Sequence, residues 1–219
     1  MNFFGHAAMA ERFSKEPPFV LGAMLPDFSS MLRLRPPASS HPVVARGVAF
    51  HHATDEAFHE LAVFRELCSD AMRLLAERGV SRGTRRAVAH VGVELLLDVE
   101  LSTDEAARTA YLDGLRAARD PAIVASLSWR TDQQERLVRL AARLEERSDS
   151  AKPSTAVLVE RLVRTLSERP RLAIEDVARP HVADWVELCR GRVVASTPAL
   201  VLELTRTIAR DLPLGATTA

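Results

Sequence analysis

Apolar residues recur at spacings of three and four residues along almost the whole chain, and a convincing two-residue alternation is absent. The first spacing matches the period of an α-helix with one buried face, whereas half-buried strands would need the second. The sequence therefore predicts an all-α protein built as a single-domain helical bundle. We expect helices over residues 2–13, 18–33, 42–77, 82–99, 102–118, 130–147, 153–167, 180–193 and 195–210.

Proline, glycine and capping residues mark the ends of several predicted helices. Pro36 and Pro37 lack backbone N–H donors and would end a helix, and Gly79 suits the left-handed residue that follows one. Ser102–Glu105 reads S-T-D-E, which is typical of a capped helix start with acidic residues in its first turn. Ser148–Pro153 is the best linker candidate, although it is too short to establish a domain boundary.

Chain length favours one domain. The 219 residues can bury a substantial core without disulfides or structural metals. We expect a single all-helical domain over residues 1–219, with a metal-site half in 1–100 and supporting helices in 101–219.

Charge and cysteine content narrow the class of protein. The 29 basic residues balance 29 acidic ones, so no net field favours nucleic acid or an anionic membrane surface. Cys68 and Cys189 lie on apolar faces of predicted helices, which favours free thiols in a reducing cytoplasm. Residues 1–11 lack the pattern of a secretory signal, and no apolar run approaches the ~20 residues that span a bilayer. We predict a cytoplasmic protein with no nucleic-acid or membrane partner.

Six of the seven histidines lie in the first 90 residues, and some of them stand at helical spacing from carboxylates. The clearest case is His51-x-x-x-Asp55-x-x-x-His59. Steps of four residues keep the three side chains on one face of a helix, about 6 Å apart per step along the axis. A single pair of this kind is usually a surface ion pair, so one pattern alone does not indicate a metal site.

A second pattern repeats the first on the next predicted helix. It reads His90-x-x-x-Glu94-x-x-x-Asp98 and interrupts the apolar stretch AVAHVGVELLLDVEL. Burying these polar groups without partners would cost several kcal/mol each, on the order given by transfer energies. A shared metal ion would offset that cost. Two such patterns on consecutive helices therefore favour metal binding.

Helix geometry limits how each pattern can coordinate a metal. Residues at i and i+4 can chelate one ion, but residues at i and i+8 lie roughly 12 Å apart and cannot share one. We therefore predict four inner ligands, and two further residues that bind a second metal, orient a ligand or carry a proton. The inner ligands are His51, Asp55, His90 and Glu94, and the further residues are His59 and Asp98.

Four segments resemble the bacterial acyl-carrier-protein phosphodiesterase family, a distant relative of the all-helical HD-type metal phosphohydrolases. Asn2–His6 resembles that family's N-F-L-A-H start, and Gly22–Phe28 resembles its G-N-L-L-A-D-F segment. Gly47–Asp55 resembles the motif G-I-x-x-H-R-x-I-D, and Arg169–Leu172 resembles an R-P-R-L stretch. The resemblance covers most of the chain in order.

The resemblance implies an HD-type helical fold and removal of phosphopantetheine from acyl carrier protein with a divalent metal such as manganese. It implies metal-binding roles for His6, Asp27, His51 and Asp55. By themselves, His6 indicates a buried polar residue and Asp27 a helix-end cap.

The chain departs from the family at three points. It has Phe58-His59 where the family has Thr-Asp, and His52 where the family has a basic residue. The family's aromatic-Asp-His stretch is replaced by His90, Glu94 and Asp98.

Together with the predicted metal site, the resemblance implies hydrolysis of a phosphoester, such as one on a phosphopantetheinylated carrier protein. One or two ions of Mn, Fe or Zn would activate a water molecule. His52 or His59 would protonate the leaving alkoxide, and Arg46, Arg169 and Arg171 are weaker candidates for phosphate contacts.

Two other hypotheses stay open. An HD-type scaffold can hold two irons that activate oxygen, and the histidines of a non-enzymatic helical protein can be purely structural. Iron content with oxygen uptake would indicate the first, and absence of bound metal the second.

Overall fold

The structure is a computed structural model that describes residues 1–148 and 152–212. Regular structure in these residues is helical, apart from one isolated antiparallel bridge between Ser39 and Leu127, so the all-α prediction is confirmed. The helices are α1 (Phe3–Glu11), α2 (Pro17–Met31), α3 (Pro42–Glu60), α4 (Ala62–Glu77), α5 (Arg82–Leu101), α6 (Glu105–Ala117), α7 (Pro121–Ala125), α8 (Thr131–Glu146), α9 (Thr155–Leu166) and α10 (Arg179–Asp211), with a 3-10 turn at Asp176–Ala178.

The chain forms two compact units. The first comprises Met1–Phe58 with the described parts of Leu101–Ser150 and Leu204–Ala219. The second comprises His59–Glu100 and the described part of Ala151–Glu203. Each unit takes residues from both halves of the sequence, so the division does not coincide with the expected halves 1–100 and 101–219. None of the described helices has both the length and the apolar content that crossing a bilayer requires.

In the first unit, α1, α2 and α6 pack against one another, and α2 crosses α3 with almost no space between the backbones. The crossing is at Gly22 and Gly47. A Cβ atom on Gly22 would lie 2.3 Å from the carbonyl oxygen of Val44, and one on Gly47 would lie 2.2 Å from that of Phe19. No larger residue fits at either position without moving a helix. The close crossing fixes the register of α2 against α3, one turn before Asp27 and His51.

In the second unit, α5 packs against α10 at a third glycine. A Cβ atom on Gly92 would lie 2.4 Å from the ring of Trp185, which is fully buried. Nearer the start of α5, the Thr84 hydroxyl donates a hydrogen bond of 2.9 Å to the carbonyl oxygen of Ala173. These contacts hold the helix that carries the His90 pattern.

The prediction of one helix over 42–77 is wrong, because Leu61 separates α3 from α4. Leu61 is extended, with φ −61° and ψ 130°, and is buried. Apolar residues continue at steps of three across the break, at Phe58, Leu61, Phe64 and Leu67. The periodicity therefore hides the break, and the sequence carries no glycine or proline there to reveal it.

The prediction of two helices over 180–193 and 195–210 is also wrong, because α10 is continuous from Arg179 to Asp211. Pro198 lies inside this helix, where it removes one backbone hydrogen bond without ending it. The short helix α7 and the 3-10 turn were not predicted, since segments of five and three residues are too short to show a helical period. Most of the linker candidate Ser148–Pro153 falls outside the described residues.

Helix α2 ends at Met31, and Arg33 follows it in the left-handed conformation. Arg33 has φ 55°, and its N–H donates to the carbonyl oxygen of Ser30 at 3.0 Å. The next N–H, of Leu34, donates to the carbonyl oxygen of Ser29 at 2.8 Å. This is a Schellman ending with arginine in the position that usually holds glycine.

Two other predicted boundaries can be compared with the structure. Gly79 has φ 74° and follows the end of α4, as predicted. Within the predicted capped start Ser102–Glu105, the capping residue of α6 is Asp104, because its carboxylate accepts hydrogen bonds from the N–H groups of Ala106 and Ala107 at 2.9 and 3.4 Å.

Candidate metal centres

Three helices of the first unit bring two imidazoles and a carboxylate together. His6 on α1, Asp27 on α2 and His51 on α3 each offer one ligand atom, and these atoms lie within 4.8 Å of one another. Asp55, one turn after His51, lies against the same cluster, with its Oδ1 atom 3.7 Å from Nε2 of His6. We call these four residues the N-terminal group.

A backbone carbonyl orients His51. Its Nδ1 atom lies 2.8 Å from the carbonyl oxygen of Ala23 on α2. A carbonyl oxygen can only accept a hydrogen bond, so Nδ1 carries the proton and Nε2 keeps its lone pair. Ala23 directly follows Gly22, and the close α2–α3 crossing thus places the carbonyl that selects the tautomer. This is the arrangement that usually orients histidine ligands of metals.

His6 lies entirely inside the first unit. Its side chain has no exposed surface, and its ring centroid is 3.9 Å from that of His51, with 30° between the planes. Its Nε2 atom lies 3.9 Å from Oδ2 of Asp27. The side chains of Asp27 and Asp55 are 26% and 39% exposed, so the carboxylate side of the group is the side that solvent reaches.

Burial keeps His51 uncharged. Desolvation, with a smaller contribution from His6, lowers the pKa of His51 to about 3, against an ordinary value of 6.5. The lone pair on Nε2 is therefore available at any physiological pH. In addition, the α-ammonium group of Met1 donates a hydrogen bond of 3.0 Å to Oδ1 of Asp55, so a positive charge already contacts the carboxylate side.

The N-terminal group fits a divalent cation. Two ligand atoms about 2.1 Å from one ion lie about 3.0–3.4 Å apart when adjacent and about 4.2 Å apart when opposite. The distances of 3.7 and 3.9 Å from His6 to the two carboxylates lie between these values, so small side-chain shifts would bring the atoms to bonding positions around one ion. The two carboxylates would balance a charge of +2 once the ion takes the place of the Met1 α-ammonium group beside Asp55. Nitrogen and oxygen donors in this mixture suit Mn, Fe or Zn.

A second cluster lies in the second unit and joins the end of α3 to α5. We call His59, His90 and Glu94 the α3–α5 group. Its three ligand atoms are Nε2 of each histidine and Oε1 of the glutamate. The Nε2 atoms lie 3.3 Å apart, and Oε1 lies 3.4 Å from His59 and 3.2 Å from His90.

The surroundings of the α3–α5 group hold the imidazoles and keep the carboxylate ionised. The His59 and His90 rings are stacked, with centroids 4.9 Å apart, and Phe64 meets both of them edge-on at 5.4 and 5.5 Å. Burial by itself would raise the pKa of Glu94, but hydrogen bonds from the two histidines outweigh it and hold the pKa below its ordinary value.

The neighbouring thiol is not part of this cluster. Cys68 contacts the carbonyl oxygen of Ala89 at 3.7 Å. Burial, helped by the charge of Glu94, raises the pKa of Cys68 to about 12. The thiol therefore stays protonated and is a poor metal ligand.

The structure groups the predicted inner ligands differently from the sequence analysis. His51 belongs to the N-terminal group together with Asp55, whereas His90 and Glu94 belong to the α3–α5 group. His59, expected as a supporting residue, is one of the three ligand-type residues of the α3–α5 group. The ends of the first pattern, His51 and His59, thus belong to different groups, as the i to i+8 distance requires.

The remaining candidates have these positions. Asp98 is buried on α5 and, within the described residues, is in neither metal-type cluster. His52 is exposed, and its ring centroid is 5.3 Å from that of His51. Arg46 is exposed and paired with Glu16 at 2.9 Å. Arg169 and Arg171 are exposed in the second unit, between α9 and the 3-10 turn.

Sequence reasoning missed three features of these sites. The Ala23 carbonyl has no side-chain signal, and the contact of Phe64 with both histidines depends on the break at Leu61. The α-ammonium contact to Asp55 joins positions 54 residues apart. The glycines Gly22 and Gly47 were the available signal for a close helix crossing.

Comparisons with protein-family models, curated proteins and solved structures return no match to this chain.

Proposed function

We propose that this chain is a metal-dependent phosphoester hydrolase whose ion is held by the N-terminal group. The observation that carries the proposal is the convergence of His6, Asp27 and His51 from three helices, with ligand atoms within 4.8 Å and one imidazole already fixed in the ligating tautomer. The hydrogen bond from Nδ1 to the Ala23 carbonyl leaves Nε2 as the His51 nitrogen that could bind an ion.

His6, Asp27, His51 and Asp55 would hold the ion. When bound, a divalent ion of this class lowers the pKa of a water molecule and stabilises charge on phosphoryl oxygens. The two histidines, buried and facing each other, would form the enclosed side of the site. The two carboxylates, which solvent reaches, would face the substrate side.

The protein's own side chains would supply the proton transfers and orientation. The Asp55 oxygen that does not bind the ion would accept a proton from an attacking water molecule, since this side chain is 39% exposed. His52, exposed and beside His51, would protonate the leaving alkoxide. Arg46, one turn before His51 on the same helix, is a candidate contact for a substrate phosphate after release from Glu16.

The substrate class follows from the resemblance to acyl-carrier-protein phosphodiesterases. Asn2–His6, Gly22–Phe28 and Gly47–Asp55, the segments that carry it, contain all four residues of the N-terminal group. The all-helical architecture and the ligand set are compatible with an HD-type fold. We therefore propose a phosphoester substrate, with a phosphopantetheinylated carrier protein as the specific candidate.

Hydrolysis of bis(p-nitrophenyl) phosphate tests the proposal. Tag-free protein, freed of metal with a chelator and then supplied with Mn²⁺, is compared with the variants Asp27→Asn and His51→Gln. We expect each variant to lose activity by at least about 100-fold. His41→Gln, which changes a histidine outside both groups, should keep wild-type activity.

Three results would contradict the proposal. Equal rates for wild type and both variants would mean that the reaction occurs outside the N-terminal group. A rate that does not depend on added metal would mean that no ion takes part in the reaction. Iron-dependent oxygen uptake with no phosphoester cleavage would favour the di-iron oxygenase hypothesis instead.

A further inference from the structure

The three ligand atoms of the α3–α5 group form a nearly equilateral triangle. Its sides are 3.2, 3.3 and 3.4 Å, between Glu94 Oε1, His90 Nε2 and His59 Nε2. From this triangle we propose that the group is a second, separate metal site that binds a zinc-type divalent cation with three protein ligands and an open fourth position.

The three distances between the ligand atoms match those around a tetrahedral ion. Zinc lies about 2.0–2.1 Å from histidine nitrogen and carboxylate oxygen, so tetrahedral neighbours are about 3.4 Å apart. Octahedral ions with similar bond lengths bring adjacent ligands to about 3.0 Å, which is shorter than all three sides. The measured triangle therefore fits the tetrahedral arrangement better.

Both imidazoles approach the same carboxylate oxygen. Oε1 of Glu94 lies within 3.4 Å of both Nε2 atoms, which are 3.3 Å from each other. A carboxylate oxygen can accept two N–H hydrogen bonds, so imidazole protons can hold this arrangement when no ion is bound. A cation that replaces those protons would bind all three atoms.

The surroundings hold the ligands in place and leave an entry path. Glu94 is buried in the apolar stretch of α5, and Phe64 packs edge-on against both imidazole rings. His59 and His90 remain 31% and 47% exposed. The fourth position therefore faces solvent, where it would take a water molecule or an anionic group.

The donor set narrows the class of ion. Two imidazoles and one carboxylate suit Zn²⁺, its chemical neighbour Co²⁺ and Fe²⁺, whereas Mg²⁺ and Ca²⁺ require mostly oxygen ligands. A bound ion would join the last turn of α3 to the middle of α5. It would thereby clamp the α3–α4 break at Leu61, since His59 lies two residues before the break and Phe64 three residues after it.

Cobalt titration of the tag-free, metal-free protein tests the site, because four-coordinate Co²⁺ has intense visible absorption bands and six-coordinate Co²⁺ has weak ones. The variants are Glu94→Gln, which keeps the size of the side chain, and His90→Ala, which changes an exposed residue and should leave the fold intact. His181→Ala, a histidine of the second unit outside the group, is the control. Zn²⁺ calorimetry on the same proteins gives the stoichiometry, and circular dichroism checks the helix content.

We expect the four-coordinate Co²⁺ spectrum and one equivalent of Zn²⁺ to be lost in Glu94→Gln and His90→Ala, with affinity lowered at least about 100-fold. The control should keep both. Asp27→Asn with His51→Gln should keep the four-coordinate spectrum, which separates this site from the N-terminal group. If His90→Ala, folded, binds Zn²⁺ and Co²⁺ as the wild type does, the proposal is wrong whatever the outcome at the N-terminal group.

Discussion

The Nδ1 atom of His51 lies 2.8 Å from the backbone carbonyl oxygen of Ala23, on the neighbouring helix. This single hydrogen bond links the packing of the first unit to its chemistry. It exists because Gly22 and Gly47 let α2 and α3 approach until only glycine fits between them. The carbonyl in turn fixes which nitrogen of His51 can bind a cation.

The first prediction concerns that crossing. Gly47→Ala would put a Cβ atom 2.2 Å from the carbonyl oxygen of Phe19, so one helix must shift. We expect the free energy of unfolding to fall by at least about 2 kcal/mol and metal affinity to fall with it. Chemical denaturation and metal titration measure both quantities.

Gly191→Ala is the matched control for the crossing. Gly191 is exposed in α10 and has space for a Cβ atom, so alanine should raise the free energy of unfolding by about 0.5–1 kcal/mol. Similar effects of the two substitutions would show that the α2–α3 crossing is looser than described.

The second prediction concerns pH. The pKa of His51 is lowered to about 3 in the folded protein, against 6.5 when it is exposed, so protons bind the unfolded chain more tightly. Well above pH 6.5, His51 is neutral in both states, and its titration does not change the free energy of unfolding. As the pH falls from 6.5 towards 3, protons bind His51 in the unfolded chain only, and the free energy of unfolding decreases. For metal-free protein we expect a loss of about 2–3 kcal/mol between pH 7 and pH 4.5 from this residue.

Urea denaturation of wild type and His51→Gln at several pH values isolates the His51 contribution, since other titrating groups affect both proteins. The wild type should lose more stability than the variant over this range. Parallel pH profiles would mean that His51 is protonated in the folded state, and the assigned tautomer would be wrong.

The third prediction concerns the end of α2. Arg33 holds φ 55°, a conformation that costs a residue with a Cβ atom about 1 kcal/mol or more and costs glycine little. We expect Arg33→Gly to raise the free energy of unfolding by about 0.5–1 kcal/mol. Arg35→Gly, also exposed but outside the left-handed region, should give no gain. A destabilised Arg33→Gly would mean that the arginine side chain contributes more than its backbone conformation costs.

The fourth prediction concerns metal removal. An ion that binds only the folded state, present at about 1,000 times its dissociation constant, adds about 4 kcal/mol of stability. A chelator should therefore lower the thermal midpoint of the wild type by several degrees. In Asp27→Asn with His51→Gln that fall should be smaller, because one site is lost. An unchanged midpoint in the wild type would indicate a protein whose histidines are structural.

Sequence periodicity predicts the helices well because one buried face repeats every three or four residues. The same periodicity hides the break at Leu61, where apolar steps of three continue through an extended residue. Likewise, Pro198 reads as an interruption, although α10 continues through it. The spacing of apolar residues indicates which side chains lie on the same face of a helix. It does not indicate where one helix ends and the next begins.

The site was harder to predict for a related reason. Four-residue steps identified His51 with Asp55 and His90 with Glu94 as side chains on common faces. They could not show that the ring of His6, from a different helix and 45 positions earlier, contacts that of His51, or that His59 joins His90 and Glu94. Helix packing decides which side chains of different helices meet, and in the first unit this packing is the crossing at Gly22 and Gly47. Residue spacing within one helix carries no information about such a crossing.

The most direct measurement is elemental analysis of tag-free protein after gel filtration, comparing wild type with Asp27→Asn and His51→Gln. An ion held by residues of α1, α2 and α3 predicts that each substitution removes about one equivalent of metal while the helix content is unchanged. Wild-type metal content in both folded variants would contradict a cation site at the N-terminal group.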